Sequence, residues 1–196
     1  MTRIEFSVIN IRDLIEQLKA EEVRGILSVF SCPKNYDIED FLTRNATDFS
    51  KRGITQTHLV FTVINETTEL LGYFALTNKI LTIDPTNISK VICKRLERHA
   101  VLDEKTGLYN IPTPLIAQLG KNYDRDLNKF VTGDELLQIA CGKVAEIQRE
   151  LGGTLTYIER ENSSKLVEFY ARNGFRIIGS GKSELQKSLI QMVKWL

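Results

Sequence analysis

Three consecutive stretches decide the fold of this chain: GDELLQIACGKVAEIQREL over Gly133–Leu151, TLTYI over Thr154–Ile158, and VEFYARNGF over residues 167–175. The first stretch repeats apolar residues at helical spacing and therefore predicts a long amphipathic helix. A glycine pair follows and ends that helix, and the β-rich second stretch predicts a strand. The third stretch predicts the end of another helix, which stops at its Asn-Gly pair.

The residues before and after this region predict the rest of an α/β domain. Leu115–Leu119 is a nearly unbroken apolar run and predicts a central strand. Because a helix separates this strand from the strand at Thr154–Ile158, we expect the two to be parallel, with a right-handed crossover. The same periodicities predict helices over 40–49, over 88–102 and from Asn162, a hairpin of 59–64 with 70–76, and an antiparallel pair of 175–178 with 189–196.

Composition narrows the classes of function. The chain has 196 residues, of which 42% are apolar, so it can bury one core of ordinary domain size. A net charge of +1 favours neither nucleic acid nor an anionic membrane, unless a local patch recognises it. Cys32, Cys93 and Cys141 form no CxxC pattern, so we expect neither disulfides nor a metal site. No apolar run approaches the roughly 20 residues of a membrane span, which predicts a cytoplasmic protein without a membrane partner.

The order of elements from Gly133 to Phe175 resembles the acetyl-coenzyme A half of the GNAT acyltransferase superfamily. The resemblance implies a single N-acetyltransferase domain over 1–196 with the α/β (α+β) GNAT fold, a central mixed, mostly antiparallel sheet with helices on both faces. It also implies acetyl-CoA as cosubstrate. In this family a helix N-terminus holds the cofactor diphosphate, and a tyrosine on the next helix is the general acid.

The stretch NKFVTG stands where the family has its phosphate-binding loop, whose motif is Gln or Arg, two residues, Gly, one residue, then Gly or Ala. Asn128 takes the first position, Val131 replaces the first glycine, and Gly133 keeps the last. Val131 is a departure, because a β-branched side chain hinders close backbone approach and resists positive φ. Thr132 and Glu135 form a capping box, which begins a helix whether or not it binds a ligand.

The resemblance assigns the remaining positions of the cofactor site. Backbone amides at the end of the central strand would face the thioester oxygen, and an asparagine at the start of the second helix would contact the pantetheine arm. In this sequence the carboxylates of the first helical turn would be offset by basic residues of the preceding loop, which are Lys121, Arg125 and Lys129. The cofactor-binding residues expected are Leu119, Gly120, Lys121, Lys129, Val131, Thr132, Gly133, Asn162 and Phe169.

Tyr170 is the expected catalytic residue, because it is the tyrosine of the Phe-Tyr pair. A phenol with a pKa near 10 stays protonated at neutral pH and can donate to a leaving thiolate. A Phe-Tyr pair at helical spacing is also common in ordinary cores. The general base is left open among Glu159, Glu161 and His99, with water as a further acceptor of the proton.

Three functions stay open. The first is an N-acetyltransferase that acts on a primary amine of a small molecule or protein. The second follows from residues 28–178, whose order of elements is similar to the GNAT toxins of bacterial toxin-antitoxin pairs, which acetylate aminoacyl-tRNA. The third is a binding module with a decayed cofactor loop. A basic stripe on the predicted helix would contact tRNA or be a solvated face, and it consists of Lys90, Lys94, Arg95 and Arg98. A homodimer and an antitoxin are further candidate partners.

Overall fold

A computed structural model of the chain describes residues 4–182 and 188–196. The helices are α1 (Ile11–Gln17), α2 (Ala20–Ser28), α3 (Tyr36–Asp40), α4 (Ala46–Lys51), α5 (Lys90–Leu96), α6 (Gly133–Leu151) and α7 (Ser164–Arg172). The strands are β1 (Ser7–Asn10), β2 (Gln56–Ile64), β3 (Thr67–Ile83), β4 (Leu102–Asp103), β5 (Leu108–Lys121), β6 (Leu155–Glu161), β7 (Arg176–Lys182) and β8 (Ser188–Trp195).

The strands pair in the order β1-β2-β3-β5-β6-β8-β7, with β4 beside β5. The pairs β1–β2, β2–β3, β4–β5, β6–β8 and β7–β8 are antiparallel, and β5 is parallel to β6. The predicted mixed, mostly antiparallel α/β fold is therefore confirmed. By its internal contacts the chain divides into two compact units, the first comprising Met1–Thr77 and Ile116–Ala140, the second Asn78–Leu115 and Cys141–Leu196.

The first unit is built on the β2–β3 hairpin. Its turn is formed by Asn65 and Glu66, whose φ angles of 49° and 66° are left-handed, as a tight hairpin turn requires. Tyr73 on β3 is fully buried and lies 5.2 Å from Phe30, ring centroid to ring centroid, in an edge-to-face contact. Its hydroxyl donates to the carbonyl oxygen of Ile38 at 2.6 Å, so the buried phenol keeps a hydrogen bond.

The helical segment of the first unit differs from its prediction over 40–49. It begins earlier, at α3, where the Asn35 side chain accepts a hydrogen bond from the amide of Asp37 and caps the helix. A π-helical turn over Phe41–Asn45 then joins α3 to α4. The π turn keeps Phe41 and Leu42 buried, although the local periodicity alone does not reveal it.

A buried asparagine after β5 connects three segments of the first unit. The Asn122 side chain donates to the carbonyl oxygens of Leu70, at 2.9 Å, and Val29, at 3.2 Å. Its Oδ1 accepts from the backbone amide of Ser31 at 2.9 Å. The backbone amide of Asn122 donates to the carbonyl oxygen of Leu71 at 2.7 Å. These bonds fix the end of β5 against β3 and against the segment that follows α2.

The second unit contains the C-terminal strands. β6 pairs with β8 along its whole length, from Leu155 with Trp195 to Glu161 with Leu189, and β8 also pairs with β7. The predicted antiparallel C-terminal pair is thus confirmed. The parallel register between β5 and β6, by contrast, has the single residue pair Leu115 and Tyr157.

The helix predicted over 88–102 is much shorter in the structure. α5 begins after Ser89, whose hydroxyl accepts from the amide of Ile92, and ends at Leu96. In the predicted helix, helical spacing places Ile88, Val91, Ile92 and Leu96 on the inward face, but Val91 is 78% exposed. Arg98 lies beyond the helix end and cannot continue a helical stripe from Lys90 and Lys94. The prediction of a single stripe through Arg98 was wrong, because seven residues allow two turns only.

Replacing Gly72 by Ala should destabilise the first unit. A Cβ at this position of β3 would lie 2.6 Å from the carbonyl oxygen of Gly120 and 3.3 Å from the Cα of Lys121, both backbone atoms that cannot rotate away. We expect a loss of about 1–3 kcal/mol in the free energy of unfolding, measured by urea denaturation.

The matched control is Gly142→Ala in α6, where nothing lies within 4 Å of a new Cβ. That change should be neutral or stabilising by about 0.5–1 kcal/mol. A Gly72→Ala protein as stable as the Gly142→Ala protein would contradict the tight approach of β3 and β5.

Candidate active site

The first unit carries the predicted cofactor loop, and α6 begins at Gly133 as expected. The capping box is present. The amide and the hydroxyl of Thr132 both donate to the Glu135 carboxylate at 2.7 Å, and the Glu135 amide donates back to the Thr132 hydroxyl at 3.1 Å. These hydrogen bonds lower the pKa of Glu135. A carboxylate therefore already lies at the positive end of the α6 dipole.

The structure agrees with the sequence that Val131 does not fit the first glycine position of a phosphate-binding loop. Its side chain is 1% exposed and belongs to the core of the first unit. The left-handed residues of this loop come earlier, at Arg125 with φ of 44° and Asp126 with φ of 63°. Arg125 donates from two nitrogens to the carboxylate of Glu69, at 2.8 and 3.1 Å, which holds this bend in place.

Lys121, at the end of β5, binds the backbone of the same loop. Its ammonium donates to the carbonyl oxygens of Asn128, at 2.8 Å, and Val131, at 2.9 Å. Burial lowers the pKa of Lys121, and the neighbouring ammonium of Lys34 lowers it further. Lys129 lies on the surface and pairs with Asp126 at 2.7 Å. The loop is thus stabilised by a lysine that binds its backbone, in addition to the helix cap.

The end of β5 is where the resemblance places the amides that face the thioester oxygen. Gly120 is buried, and a Cβ there would overlap Ile38 and approach the ring of Phe30 to 3.3 Å. Leu119 and Lys121 on either side are half-buried. The absence of a side chain at Gly120 lets β5 pass close to the aromatic core of the first unit.

The second unit carries Tyr170, near the C-terminal end of α7. Its ring makes edge-to-face contacts with Phe169, at 4.9 Å between centroids, and with Phe175, at 5.5 Å. Burial raises the pKa of Tyr170 to about 12. Within the part of the chain that the structure describes, no hydrogen bond engages its hydroxyl. Tyr170 is therefore protonated at neutral pH, and its O–H group is available to donate.

Arg160 on β6 lies beside Tyr170 and was missed by the sequence analysis. Its guanidinium carbon is 5.5 Å from the centroid of the Tyr170 ring, and the side chain is buried. The strand was predicted to end at Ile158, so Arg160 was placed outside the sheet. A charged residue flanked by two glutamates gives no sequence signal of burial.

Asn162 and the candidate bases have different surroundings from those expected. α7 begins at Ser164 with Ser163 as its N-cap, so Asn162 precedes the helix and is exposed. Glu159 accepts a hydrogen bond from Gln191 at 2.9 Å and lies 3.9 Å from the ammonium of Lys79. Glu161 and His99 are exposed. The structure does not single out any of these as the general base.

The structure thus brings the predicted residues together in two groups. The first unit holds Leu119, Gly120, Lys121, Lys129, Val131, Thr132 and Gly133, and the second unit holds Asn162, Phe169 and Tyr170. Over residues 4–182 and 188–196, no cluster of His, Cys, Asp or Glu side chains is arranged to hold a metal ion. Nor does any described helix have the length and apolar character needed to cross a membrane.

No family model matches the sequence, and no curated protein matches it. Solved structures do match the fold. A Tyr-to-Phe variant of KacT matches with a TM-score of 0.63 at 16% identity, over 96% of this chain and 95% of that chain. A Tyr-to-Phe variant of the AtaT toxin, bound to the C-terminus of the antitoxin AtaR and acetyl-CoA, matches with a TM-score of 0.60 at 15% identity, over 95% of this chain and 91% of that chain. AtaT complexed with acetyl-methionyl-tRNAfMet matches with a TM-score of 0.61 at 16% identity, over 95% of this chain and 94% of that chain. The chain therefore has the fold of GNAT toxins, as the resemblance predicted.

Glu135→Gln should reduce stability in a pH-dependent way. Glutamine keeps the reciprocal hydrogen bonds of the capping box but removes the charge at the α6 N-terminus, which costs about 0.3–1 kcal/mol at neutral pH. Because the folded-state pKa of Glu135 is lowered, the advantage of the wild type is present above the unfolded pKa near 4.5. This stability advantage is lost as the pH falls through the folded-state pKa of Glu135. Thermal unfolding of both proteins at several pH values measures the difference.

Asn35→Ala serves as the comparison, since it removes the uncharged N-cap of α3 and should cost about 1 kcal/mol at both neutral and acid pH. Equal stability of wild type and Glu135→Gln at neutral pH would contradict an ionised carboxylate at this helix end.

Proposed function

We propose that this chain is an N-acetyltransferase that uses acetyl-CoA, with Tyr170 as the general acid and the amino group of an aminoacyl-tRNA as acceptor. The observation that carries the proposal is the protonated hydroxyl of Tyr170, whose ring packs against Phe169 and Phe175 and which no described residue engages by a hydrogen bond, in a GNAT toxin fold. The acceptor is inferred from AtaT, whose structure is described in complex with acetyl-methionyl-tRNAfMet. An antitoxin is expected as a partner for the same reason, since AtaT is described bound to AtaR.

The chemistry requires a single displacement. The neutral amine attacks the thioester carbonyl carbon, a C–N bond forms and the C–S bond breaks. The proton of the Tyr170 hydroxyl passes to the departing thiolate, and the proton released by the amine passes to water. The tyrosinate then recovers a proton from solvent, so that acetyl-amine and free thiol are the net products. Tyr170 suits this role because its raised pKa keeps the proton available throughout the neutral range.

The start of α6 fits a diphosphate in part. Among the amides at this helix start, the capping box uses those of Thr132 and Glu135. The amide of Gly133, together with the Lys129 ammonium, would hold the diphosphate. The Glu135 carboxylate opposes this binding through like-charge repulsion. We therefore expect acetyl-CoA to bind, with an affinity weakened by Glu135.

The rival function is a binding module that has lost catalysis. It is favoured by the buried Val131 side chain and by the carboxylate of Glu135 at the helix end. It gives no role to the Tyr170 hydroxyl, which makes no hydrogen bond to any described residue. The two functions are separated by whether acetyl-CoA binds and is consumed.

Tyr170→Phe should abolish most of the turnover and leave cofactor affinity intact. The change removes only the proton donor and keeps the ring contacts with Phe169 and Phe175. General acid catalysis typically contributes on the order of 10²- to 10⁴-fold, so kcat should fall by that factor. Acetyl transfer to charged tRNA is measured with radiolabelled acetyl-CoA, and affinity is measured by calorimetric titration.

Wild-type protein that binds no acetyl-CoA at millimolar concentration would support the binding module. Binding with an unchanged kcat in Tyr170→Phe would instead assign Tyr170 to packing alone and require another acid.

The surface of α5 is the candidate contact for tRNA. Lys90 and Lys94 are exposed and one turn apart, and Arg95 lies 4.2 Å above the ring of Trp195. A basic helix of this kind can follow a phosphate backbone without reading its sequence.

The double change Lys90→Glu with Lys94→Glu should prevent acetylation of aminoacyl-tRNA without affecting acetyl-CoA binding. Wild-type affinity for tRNA should fall steeply with salt, by a log-log slope of about 0.7–0.9 for each phosphate neutralised, and the double variant should lose that part of the slope. Filter binding at several salt concentrations measures both.

Arg149→Glu, an exposed charge reversal at the end of α6, is the control and should retain binding. Salt-insensitive acetylation of a small amine or peptide, unaffected by the double change, would exclude tRNA and leave a metabolic or protein N-acetyltransferase.

A further inference from the structure

Arg160 is a buried charged residue that has no role in the proposed acetyl transfer described so far. The residue lies on β6 and is 7% exposed. One terminal nitrogen, Nη2, donates to the carbonyl oxygen of Ser163, the N-cap of α7, at 3.0 Å. The Nε and Nη1 atoms are buried and have no hydrogen-bond partner among the described residues. Burial lowers the pKa of Arg160, yet a guanidinium stays protonated in proteins, so the positive charge is retained.

A buried guanidinium with two unsatisfied donors is unfavourable in the resting protein. A negative charge that forms beside it would offset this cost. Tyr170 is the group in question, since its ring centroid lies 5.5 Å from the guanidinium carbon and its phenol becomes negative when it gives up a proton.

We propose that Arg160 is a positioning residue for Tyr170, which holds one side of the phenol ring and stabilises the tyrosinate formed when the proton passes to the thiolate. The inference rests on the proposed function, since the tyrosinate forms during acetyl transfer. Arg160 exchanges no atoms in this step. Its proton stays in place, and its fixed hydrogen bond to Ser163 keeps the charge beside the ring.

The other groups that face Tyr170 do not supply this charge. Phe169 and Phe175 are apolar, and Cys141 on α6 is the remaining titratable group that acts on the phenol. Burial raises the pKa of the Cys141 thiol, so it is neutral at neutral pH. Arg160 is the cation that lowers the pKa of Tyr170 against the effect of burial.

The test measures the acidity of position 170 without relying on turnover. A fluorinated tyrosine is placed at 170 in the full chain, which brings the phenol pKa into a range where the protein stays folded, and is titrated by fluorine NMR. Arg160→Met should raise that pKa by about one unit, a tenfold change in proton affinity, whereas Arg160→Lys should raise it less. Lys165→Met, which removes an exposed charge from α7, should leave it unchanged.

In the unlabelled protein, Arg160→Met should lower kcat by about tenfold with an unchanged KM for acetyl-CoA. A pKa at position 170 that is the same in wild type and Arg160→Met would overturn the proposal, even if acetyl transfer is confirmed. A pKa shift of the expected size in a protein that transfers no acetyl group would instead refute the proposed function and retain the coupling.

If Arg160→Met fails to fold by circular dichroism, Arg160→Gln and Arg160→Lys replace it. Both shorten the side chain and keep a hydrogen-bond donor, but only the lysine variant keeps the charge. Equal pKa values in these two variants would show that charge at position 160 does not act on Tyr170, and would overturn the proposal.

Discussion

The buried side chain of Asn122 is the interaction on which the first unit depends. One amide group binds partners from β3 and from the segment after α2, at Leu70, Val29 and Ser31. The Oδ1 atom also accepts from the amide of Asp124 at 3.0 Å, so all four side-chain hydrogen-bonding positions of the asparagine are used, and each partner is a backbone group that cannot move independently. The bonds define where β5 stops and therefore where the loop toward α6 starts. The tight approach of Gly72 to Gly120 acts in the same place, since neither strand has a side chain between the two backbones.

The loop that leaves this point has features of both a ligand site and a self-sufficient helix start. Lys121 donates to two of its carbonyl oxygens, and Thr132 and Glu135 satisfy each other's amides. A loop of this kind folds without a ligand, in contrast to a glycine-rich loop whose backbone relies on the phosphate it binds. For the proposed function we therefore expect weaker cofactor binding and a helix that stays ordered when the cofactor is absent.

In the second unit the decisive feature is burial around Tyr170. Aromatic rings pack against two sides of the phenol and desolvate it in part, which raises its pKa, and the nearby guanidinium of Arg160 acts in the opposite direction. Both effects depend on α7 lying against β6, where Arg160 also donates to the N-cap of the helix. The phenol proposed as proton donor and the charge proposed to stabilise its conjugate base are thus positioned by the same two elements.

The sequence by itself determined the elements whose signals are local. The apolar period of α6, the Asn65-Glu66 turn, and the Asn-Gly stop after Tyr170 each lie within a few residues of the structure they encode, and all are present. The resemblance in element order then identified the fold. Tertiary structure decided the rest. Asn122 binds partners 52 and 93 residues away, and Arg160 is buried only because β6 continues three residues past its apolar part. Periodicity reports contacts along one element, whereas the hydrogen bonds of a buried amide and the desolvation of a charge depend on segments far apart in the chain.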